Sequence, residues 1–254
     1  MIIATSNLRQ RLLGLILVWS ACVVGGGVPA IAADGSALPA DSSPLKIGII
    51  GTGRIGGALA RHWAKAGHQL LLSSRHPEEL RALATELGPN VRVGTPQQAA
   101  AFGEVVLVSI PYAAMPQVGN DYAKELAGKI IVDTSNPSEG RDGPMAIDAL
   151  RKGAGMATAE FLHSTRVVRA FNCINFKALV ADSFRQPNRR AIPIGGDDSA
   201  ALAITARLVS DAGFDAVVIG SLAKSREFDL GEMLASRDWS VRDFQKQLGK
   251  TAVK

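Results

Sequence analysis

The sequence predicts an α/β fold, a doubly wound parallel sheet with helices on both faces and a small carboxyl-terminal extension. Three observations carry this. From residue 45 onward, short apolar runs alternate with amphipathic segments, the pattern of successive βα units. The first apolar run leads straight into a glycine-rich turn and then a helical pattern. No internal repeat interrupts the alternation.

The first strand spans Leu45 to Ile50, and the turn Gly51-Thr52-Gly53-Arg54-Ile55-Gly56 follows it as G-x-G-x-x-G. Gly51 permits the tight turn, Gly53 lets the backbone approach a pyrophosphate, and Gly56 lets the helix pack closely on the strand. The helix, Arg54 to Ala66, presents its positive amino-terminal end to phosphates and stops at Gly67. This is the fingerprint of an NAD(P)-binding Rossmann fold. The second strand, His68 to Ser73, selects the dinucleotide. An NAD site places Asp or Glu about 20 residues past the first glycines, for the ribose 2′-hydroxyl. Here that position falls near Ser73, and Ser73-Ser74-Arg75 offer hydroxyls and a guanidinium suited to a 2′-phosphate. NADP(H) is therefore expected, with Arg54 as a helper.

A helix from Pro77 to Leu87 stops at Gly88-Pro89. Val91 to Val93 is a third strand, Pro96 to Ala101 a short helix, and Val105 to Ile110 a fourth strand ending at Pro111. Tyr112 to Leu126 reads as one helix and Lys129 to Val132 as the fifth strand. Helices at Pro144 to Lys152 and Ala157 to Leu162 precede a sixth strand, Arg166 to Asn172. Ala191 to Ile194 is a strand, Ser199 to Ala212 a helix and Phe214 to Ile219 the last strand, with helix from Ser221. In such a sheet ligand lies beyond the carboxyl ends of the first and fourth strands. Ser109-Ile110-Pro111 and Asp133-Thr134-Ser135-Asn136-Pro137 fall at that edge. Each is also an ordinary strand-ending turn by pattern alone.

The flanks divide the chain further. Residues 1–33 read as a signal peptide: Arg9 and Arg11, an apolar stretch from Leu12 to Val24, and the cleavage pattern Ala30-Ile31-Ala32. The expected location is periplasmic or secreted. An uncleaved anchor, or a cytoplasmic protein with a misassigned start codon, are the alternatives. Residues 34–44 read as a linker, 45–238 as the NADP-binding domain, and 239–254 as a polar, weakly ordered tail.

Composition narrows the function. Of the net charge of +5, Arg9 and Arg11 supply two, leaving about +3 on the mature chain, too mild for nucleic acid. Cys22 falls in the leader, so Cys173 has no intrachain partner, and four scattered histidines make no metal cluster. No nucleophile with a base, Tyr-x-x-x-Lys pair or His-Asp dyad is legible; His163 is more readily structural than catalytic. Hydride transfer from nicotinamide to a flavin-type ring needs alignment and exclusion of water rather than a protein acid or base.

Ile47-Gly48-Ile49-Ile50-Gly51-Thr52-Gly53-Arg54-Ile55-Gly56, Ser73-Ser74-Arg75, Ile110-Pro111, Ala127 to Pro137, Val167-Val168-Arg169-Ala170-Phe171-Asn172 and Pro193 to Asp198 together resemble the NADPH-dependent deazaflavin (coenzyme F-420) reductases. They resemble equally the NADPH domain of the STEAP-type metalloreductases. The resemblance covers about residues 46 to 232. It implies an NADP-dependent oxidoreductase with NADP(H) held by Thr52 to Ile55, by Ser74 and Arg75, and by the loops at Ile110 and Ala170. It implies a hydride acceptor near Pro111, Asn136 and Asn172, with a flavin or deazaflavin as co-substrate. The partner is then a small-molecule redox acceptor, and the reading allows a homodimer with no membrane span in the mature chain. Three departures stand out: the leader, the absence of a membrane haem domain, and Glu79 where some relatives carry a basic residue. A non-catalytic NADP(H)-binding module, or an imine or carbonyl reductase like the pyrroline-carboxylate reductases, are the alternative functions.

Overall fold

The computed structural model describes residues 43 to 251, apart from 233 and 236. The leader, nearly all of the expected linker and residues 252–254 lie outside them. In chain order the elements are β1 (Lys46–Ile50), α1 (Arg54–Lys65), β2 (Gln69–Ser73), α2 (Arg81–Leu87), β3 (Val91–Gly94), α3 (Pro96–Phe102), β4 (Val105–Val108), α4 (Met115–Asp121), α5 (Ala123–Leu126) and β5 (Ile130–Asp133). There follow α6 (Glu139–Asp142), α7 (Pro144–Lys152), α8 (Ala154–Phe161), β6 (Arg166–Arg169), α9 (Phe176–Ala181), β7 (Ala191–Gly196), α10 (Ser199–Asp211), β8 (Asp215–Gly220) and α11 (Val241–Thr251).

One eight-stranded sheet organises them, in the order β3-β2-β1-β4-β5-β6-β7-β8. The first six strands form the doubly wound order, 3-2-1-4-5-6, and pair in parallel. The reason is visible in β4: all four of its residues, Val105 to Val108, are buried, as strands covered on both faces must be. Two hydrophobic layers do the covering. Leu59, Trp63, Leu179, Leu208 and Phe214 pack on one face; Ala99, Tyr112, Met115, Ala149 and Leu162 pack on the other. Fully burying a Leu, Met or Phe side chain stabilises by roughly 1.5–3 kcal/mol.

Register fixes the functional edge. Ser73, Ile50, Val108, Asp133 and Arg169 lie in one row across β2, β1, β4, β5 and β6. The turns that leave these residues therefore open on the same side of the sheet.

The expectation of a wholly parallel sheet fails at one place. β7 pairs antiparallel with β6, and β8 runs parallel to β7. Between β6 and β7 the only α-helix is α9, of six residues, which rises about 9 Å. That is too short to carry the chain back across the sheet, so β7 starts from the edge where β6 ends. The 13 residues of α10 then make a full crossover to β8.

Other boundaries differ for local reasons. The helix expected over Tyr112 to Leu126 is broken into a 3-10 turn at Tyr112–Ala114, then α4 and α5, with Tyr122 leaving the helical region at φ −121°. Gly119 lets α4 approach α8: a Cβ there would lie 2.0 Å from the Phe161 carbonyl oxygen. The sixth strand ends at Arg169 rather than Asn172, because Phe171 takes a positive φ of 58°. Edge contacts to Trp63 and Phe214, with centroids 6.3 and 6.4 Å away, hold that ring in place. The tail expected to be weakly ordered contains α11, whose Phe244 is fully buried with Val217, Ile219, Phe228 and Leu234 and stacks edge-on against Trp239.

Candidate functional site

The turn after β1 is built by its glycines. Gly51 has φ +95°, and a Cβ on it would lie 2.3 Å from the Ser109 carbonyl oxygen. A Cβ on Gly56 would meet the Gly51 carbonyl oxygen at 2.3 Å, so Gly56 seats α1 on the turn, the role its spacing predicts. Gly53 is different, because a Cβ there meets nothing within 4 Å. It faces open space, which is what a pyrophosphate would need. Gly53 is also the N-cap of α1 and brings no capping side chain, and no acid lies in the first turn. The first N–H groups and the positive end of a 12-residue helix are thus left for an anion.

Two lobes open from this turn. The first has a volume of about 700 Å³ and is walled by Gly51, Thr52, Ser74, Arg75, Glu79 and Gln117, among others. The second, about 670 Å³, is walled by Arg54, Ile55, Thr134, Asn136, Pro137 and Arg141, among others. Gly53, Ser109, Ile110 and Pro111 border both. A ligand with two halves joined at a pyrophosphate fits such a cleft, one half to each side of Gly53.

The first lobe holds the proposed selector of the 2′-phosphate. Arg75 is exposed and pairs with no carboxylate among the described residues. Ser74 accepts a hydrogen bond from the His76 amide at 3.0 Å and stays on the wall. Ser73 does not serve as expected. It is fully buried, its hydroxyl donates to the Ile49 carbonyl at 2.7 Å, and its carbonyl accepts from the Gly51 and Thr52 amides and the Thr52 hydroxyl. Ser73 therefore shapes the turn from behind. Thr52 borders the lobe, but its amide and hydroxyl are both spent on Ser73. Arg54 lies in the other lobe from Arg75, so it is no helper to a phosphate there.

The second lobe rests on a buried ionic network that the sequence reading missed. Arg169 is wholly buried; its Nη1 donates to Asp133 at 2.9 Å and to the Ser135 carbonyl, and its Nη2 to Asp229 at 2.7 Å. Burial works against the guanidinium's charge, but the two carboxylates outweigh it and raise its pKa above the ordinary value. Asp133 also accepts from the Ser135 amide at 2.8 Å and the Thr158 hydroxyl at 2.9 Å; Asp229 accepts from the Ala154 amide at 3.0 Å. Arg169 Nη2 reaches Asn136 Oδ1 at 3.3 Å, while Asn136 Nδ2 donates to the Asn172 carbonyl at 2.7 Å. Asn136 is thus held at both ends of its amide, on the wall of the lobe.

Asn172 was expected at the acceptor and is instead behind it. It is 4% exposed, donates to the Phe228 carbonyl at 3.1 Å and borders neither lobe; its Oδ1 is buried without a partner. Ala170 is likewise buried, its amide donating to the Asp133 carbonyl at 3.2 Å, and it borders neither lobe. Both residues lie past the row where β6 ends, under the loop rather than on it.

A second device ties the two cleft loops together. The buried carboxylate of Asp142 accepts from the Ala113 amide at 3.1 Å, the Ser138 amide at 2.9 Å and Arg141 at 2.7 Å. The Arg141 hydrogen bond, with the two amides adding, holds that carboxyl below its ordinary pKa. Tyr112, under the same loop, donates to the Ala154 carbonyl at 3.2 Å. Burial pushes its hydroxyl up to about 12, against a lowering hydrogen bond from Thr158, so it serves as a neutral donor. The signal for these groups was present in the sequence: Asp133 ends an otherwise apolar strand, and Arg169 follows the apolar pair Val167-Val168 at the end of its own.

Fold and cleft together define a dinucleotide-binding protein of the Rossmann class. Comparison with known proteins makes that particular. Residues 46–137 match the family model described as NADP oxidoreductase, coenzyme F420-dependent. The chain is 29% identical over 196 residues to the F420-dependent NADP reductase of Methanothermobacter thermautotrophicus, covering 72% of this chain and 84% of that one. It is 30% identical over 215 residues to the metalloreductase STEAP3 of Rattus norvegicus, covering 82% of this chain but 40% of that protein. A solved structure of a hypothetical protein from Sinorhizobium meliloti aligns at TM-score 0.69 and 27% identity, over 79% of this chain and 97% of the other. The chain is thus placed among the NADP-dependent oxidoreductases, as kin of the coenzyme F420-dependent NADP oxidoreductase family.

Proposed function

We propose that the protein binds NADP(H) across the two lobes and passes hydride between its nicotinamide and a flavin or deazaflavin ring. The observation that carries this reading is the division of the cleft at Gly53: in one lobe Arg75, which pairs with no carboxylate among the described residues, and in the other a wall of Ile110, Pro111, Asn136 and Leu230 that includes no acid, histidine or thiol. Bound NADPH supplies the hydride and leaves as NADP+, and the acceptor ring takes the hydride together with a proton from water.

The chain's own residues bind and orient. The Arg54, Ile55 and Gly56 amides face the pyrophosphate, and Arg75 takes the 2′-phosphate through charge-assisted hydrogen bonds. Ile110 and Pro111 close one side of the nicotinamide pocket and exclude water there. Asn136, fixed by Arg169 and by the Asn172 carbonyl, sets the position of the opposite wall. Such alignment can supply several kcal/mol of a barrier without a protein acid or base. The leader of residues 1–33 adds export to the proposal, and amino-terminal sequencing of the protein from a periplasmic fraction tests it.

The test of function is titration of the full chain with NADPH, then addition of FMN, FAD and a deazaflavin while NADPH absorbance is followed. Acceptor-dependent oxidation is the expected result. Tight NADPH binding without oxidation by any of the three refutes the reductase and leaves a binding module.

A further inference from the structure

We infer that Asp142 is the positioning residue of the nicotinamide slot: its carboxylate joins the loop after β4 to the loop after β5 and so sets the distance between the two walls of the slot. This rests on the reading of the second lobe as the nicotinamide side of an NADP(H) site.

The walls belong to different loops. β4 and β5 stay in register as far as Val108 and Asp133, and the Thr134 amide still donates to the Val108 carbonyl at 3.1 Å. Past that row the two chains part. Ile110 and Pro111 pass on one side of the lobe, and Asn136, Pro137 and Ser138 on the other. Among the described residues a single hydrogen bond joins residues 109–114 to residues 134–142, from the Ala113 amide to Asp142 Oδ1 at 3.1 Å. Ala113 borders the first lobe, Ser138 and Arg141 the second, and Asp142 neither. The carboxylate therefore acts through the residues it holds.

The local sequence builds this clasp. α6 is a single turn, Glu139–Asp142, and Gly143 ends it at φ +67°. One turn carries the Asp142 side chain back to Ser138, whose amide donates to Oδ2 at 2.9 Å. Arg141 takes the remaining sites as a fork, Nε to Oδ1 at 3.0 Å and Nη2 to Oδ2 at 2.7 Å. Each oxygen thus accepts twice. The Asp142 side chain is fully buried while that of Arg141 stays half exposed. The same Nη2 donates to the Asn136 carbonyl at 2.6 Å. The pair therefore grips one wall at Asn136 and Ser138 and the other at Ala113. Charge-assisted and bidentate hydrogen bonds are short and directional, which suits them to hold a width. A slot held in this way keeps the nicotinamide ring against Ile110 and Pro111, where a displacement of about 1 Å can cost roughly 100-fold in rate.

The test uses the full chain and two ligands: NADPH, and 2′-phospho-ADP-ribose, the same molecule without its nicotinamide. Binding is followed by calorimetry, and the held ring by the fluorescence of bound NADPH. The wild type is expected to bind NADPH about tenfold tighter than 2′-phospho-ADP-ribose and to enhance its fluorescence. Asp142→Asn keeps the size of the side chain but leaves one acceptor oxygen, and turns an NH2 group toward donors. It is expected to bind 2′-phospho-ADP-ribose within about twofold of the wild type, yet to lose most of the preference and the fluorescence enhancement. Asp142→Glu keeps the charge, displaced by one methylene, and is expected to fall between the two; it takes the place of Asp142→Asn if that variant does not fold. A variant with the wild-type preference overturns the inference. So does one that loses both ligands alike, because Asp142 then supports the whole cleft and not the slot. A wild type that binds the two ligands alike, or binds neither, overturns it as well. Turnover is read separately: a nicotinamide held by the wild type and loosened in the variant, yet never oxidised by a flavin, keeps the inference and removes the reductase.

Discussion

Replacing Arg169 with methionine isolates the network beneath the second lobe. Arg169→Met keeps an unbranched, shorter apolar side chain and removes the charge that Asp133 and Asp229 face at 2.9 and 2.7 Å. Both carboxylates stay buried, at 0% and 6% side-chain exposure. Removing one partner from a buried ionic cluster costs about 3–5 kcal/mol, because charge is left without compensation. In a chain of this size each kcal/mol lowers Tm by about 2–4 °C, so a fall of roughly 6–20 °C is expected in thermal unfolding followed by circular dichroism. Asp229→Asn in the same chain removes one of the stranded charges and recovers part of the loss, a non-additivity expected for residues in contact. A fall below about 3 °C for Arg169→Met would refute the reasoning, because it would mean that the carboxylates reach water or protonate at little cost.

Two further outcomes follow from the same geometry. Gly53→Val costs no more than about 0.5–2 kcal/mol, since its side chain enters open space but valine is a poor N-cap, yet it abolishes NADPH binding measured by calorimetry; retained binding would remove the pyrophosphate from this turn. Tyr112 titrates higher in the folded chain than its ordinary 10.0, at about 12. Its contribution is therefore complete below pH 10 and is lost as pH rises toward 12. Denaturant unfolding across that window should show a decline in the wild type that Tyr112→Phe flattens, and equal slopes in the two proteins would contradict the burial of the hydroxyl.

The half of the fold that binds the dinucleotide was legible because its signals are local. A strand, a glycine turn and a helix follow each other within 20 residues (Lys46–Lys65), and the spacing of Gly51, Gly53 and Gly56 carries the turn's geometry in itself. The position of Arg75 on the first lobe was legible for the same reason, as a cation at the end of an apolar run. What failed depends on contacts distant in sequence. Arg169 meets Asp133 and Asp229 across 36 and 60 residues, and no spacing rule joins them. Ser73 reads as a ligand by position, yet its hydroxyl is donated to the Ile49 carbonyl of the neighbouring strand β1. Asn172 follows a strand pattern, but the positive φ of Phe171 turns the chain under the loop. α11 looks polar in composition, and the burial of Phe244 beside Trp239 gives it a place. The reversal of β7 was hidden because an antiparallel neighbour has the same apolar pattern as a parallel one.

The first lobe is proposed as an NADP site read by Arg75. Dissociation constants of NADPH and NADH for the wild type and for Arg75→Asp test it most directly. Charge-assisted hydrogen bonds to the 2′-phosphate contribute about 1.5–3 kcal/mol, so the wild type should favour NADPH by roughly 10- to 150-fold and the variant should lose that preference. A wild type that binds NADH as tightly as NADPH, or a variant that loses both cofactors equally, would contradict it.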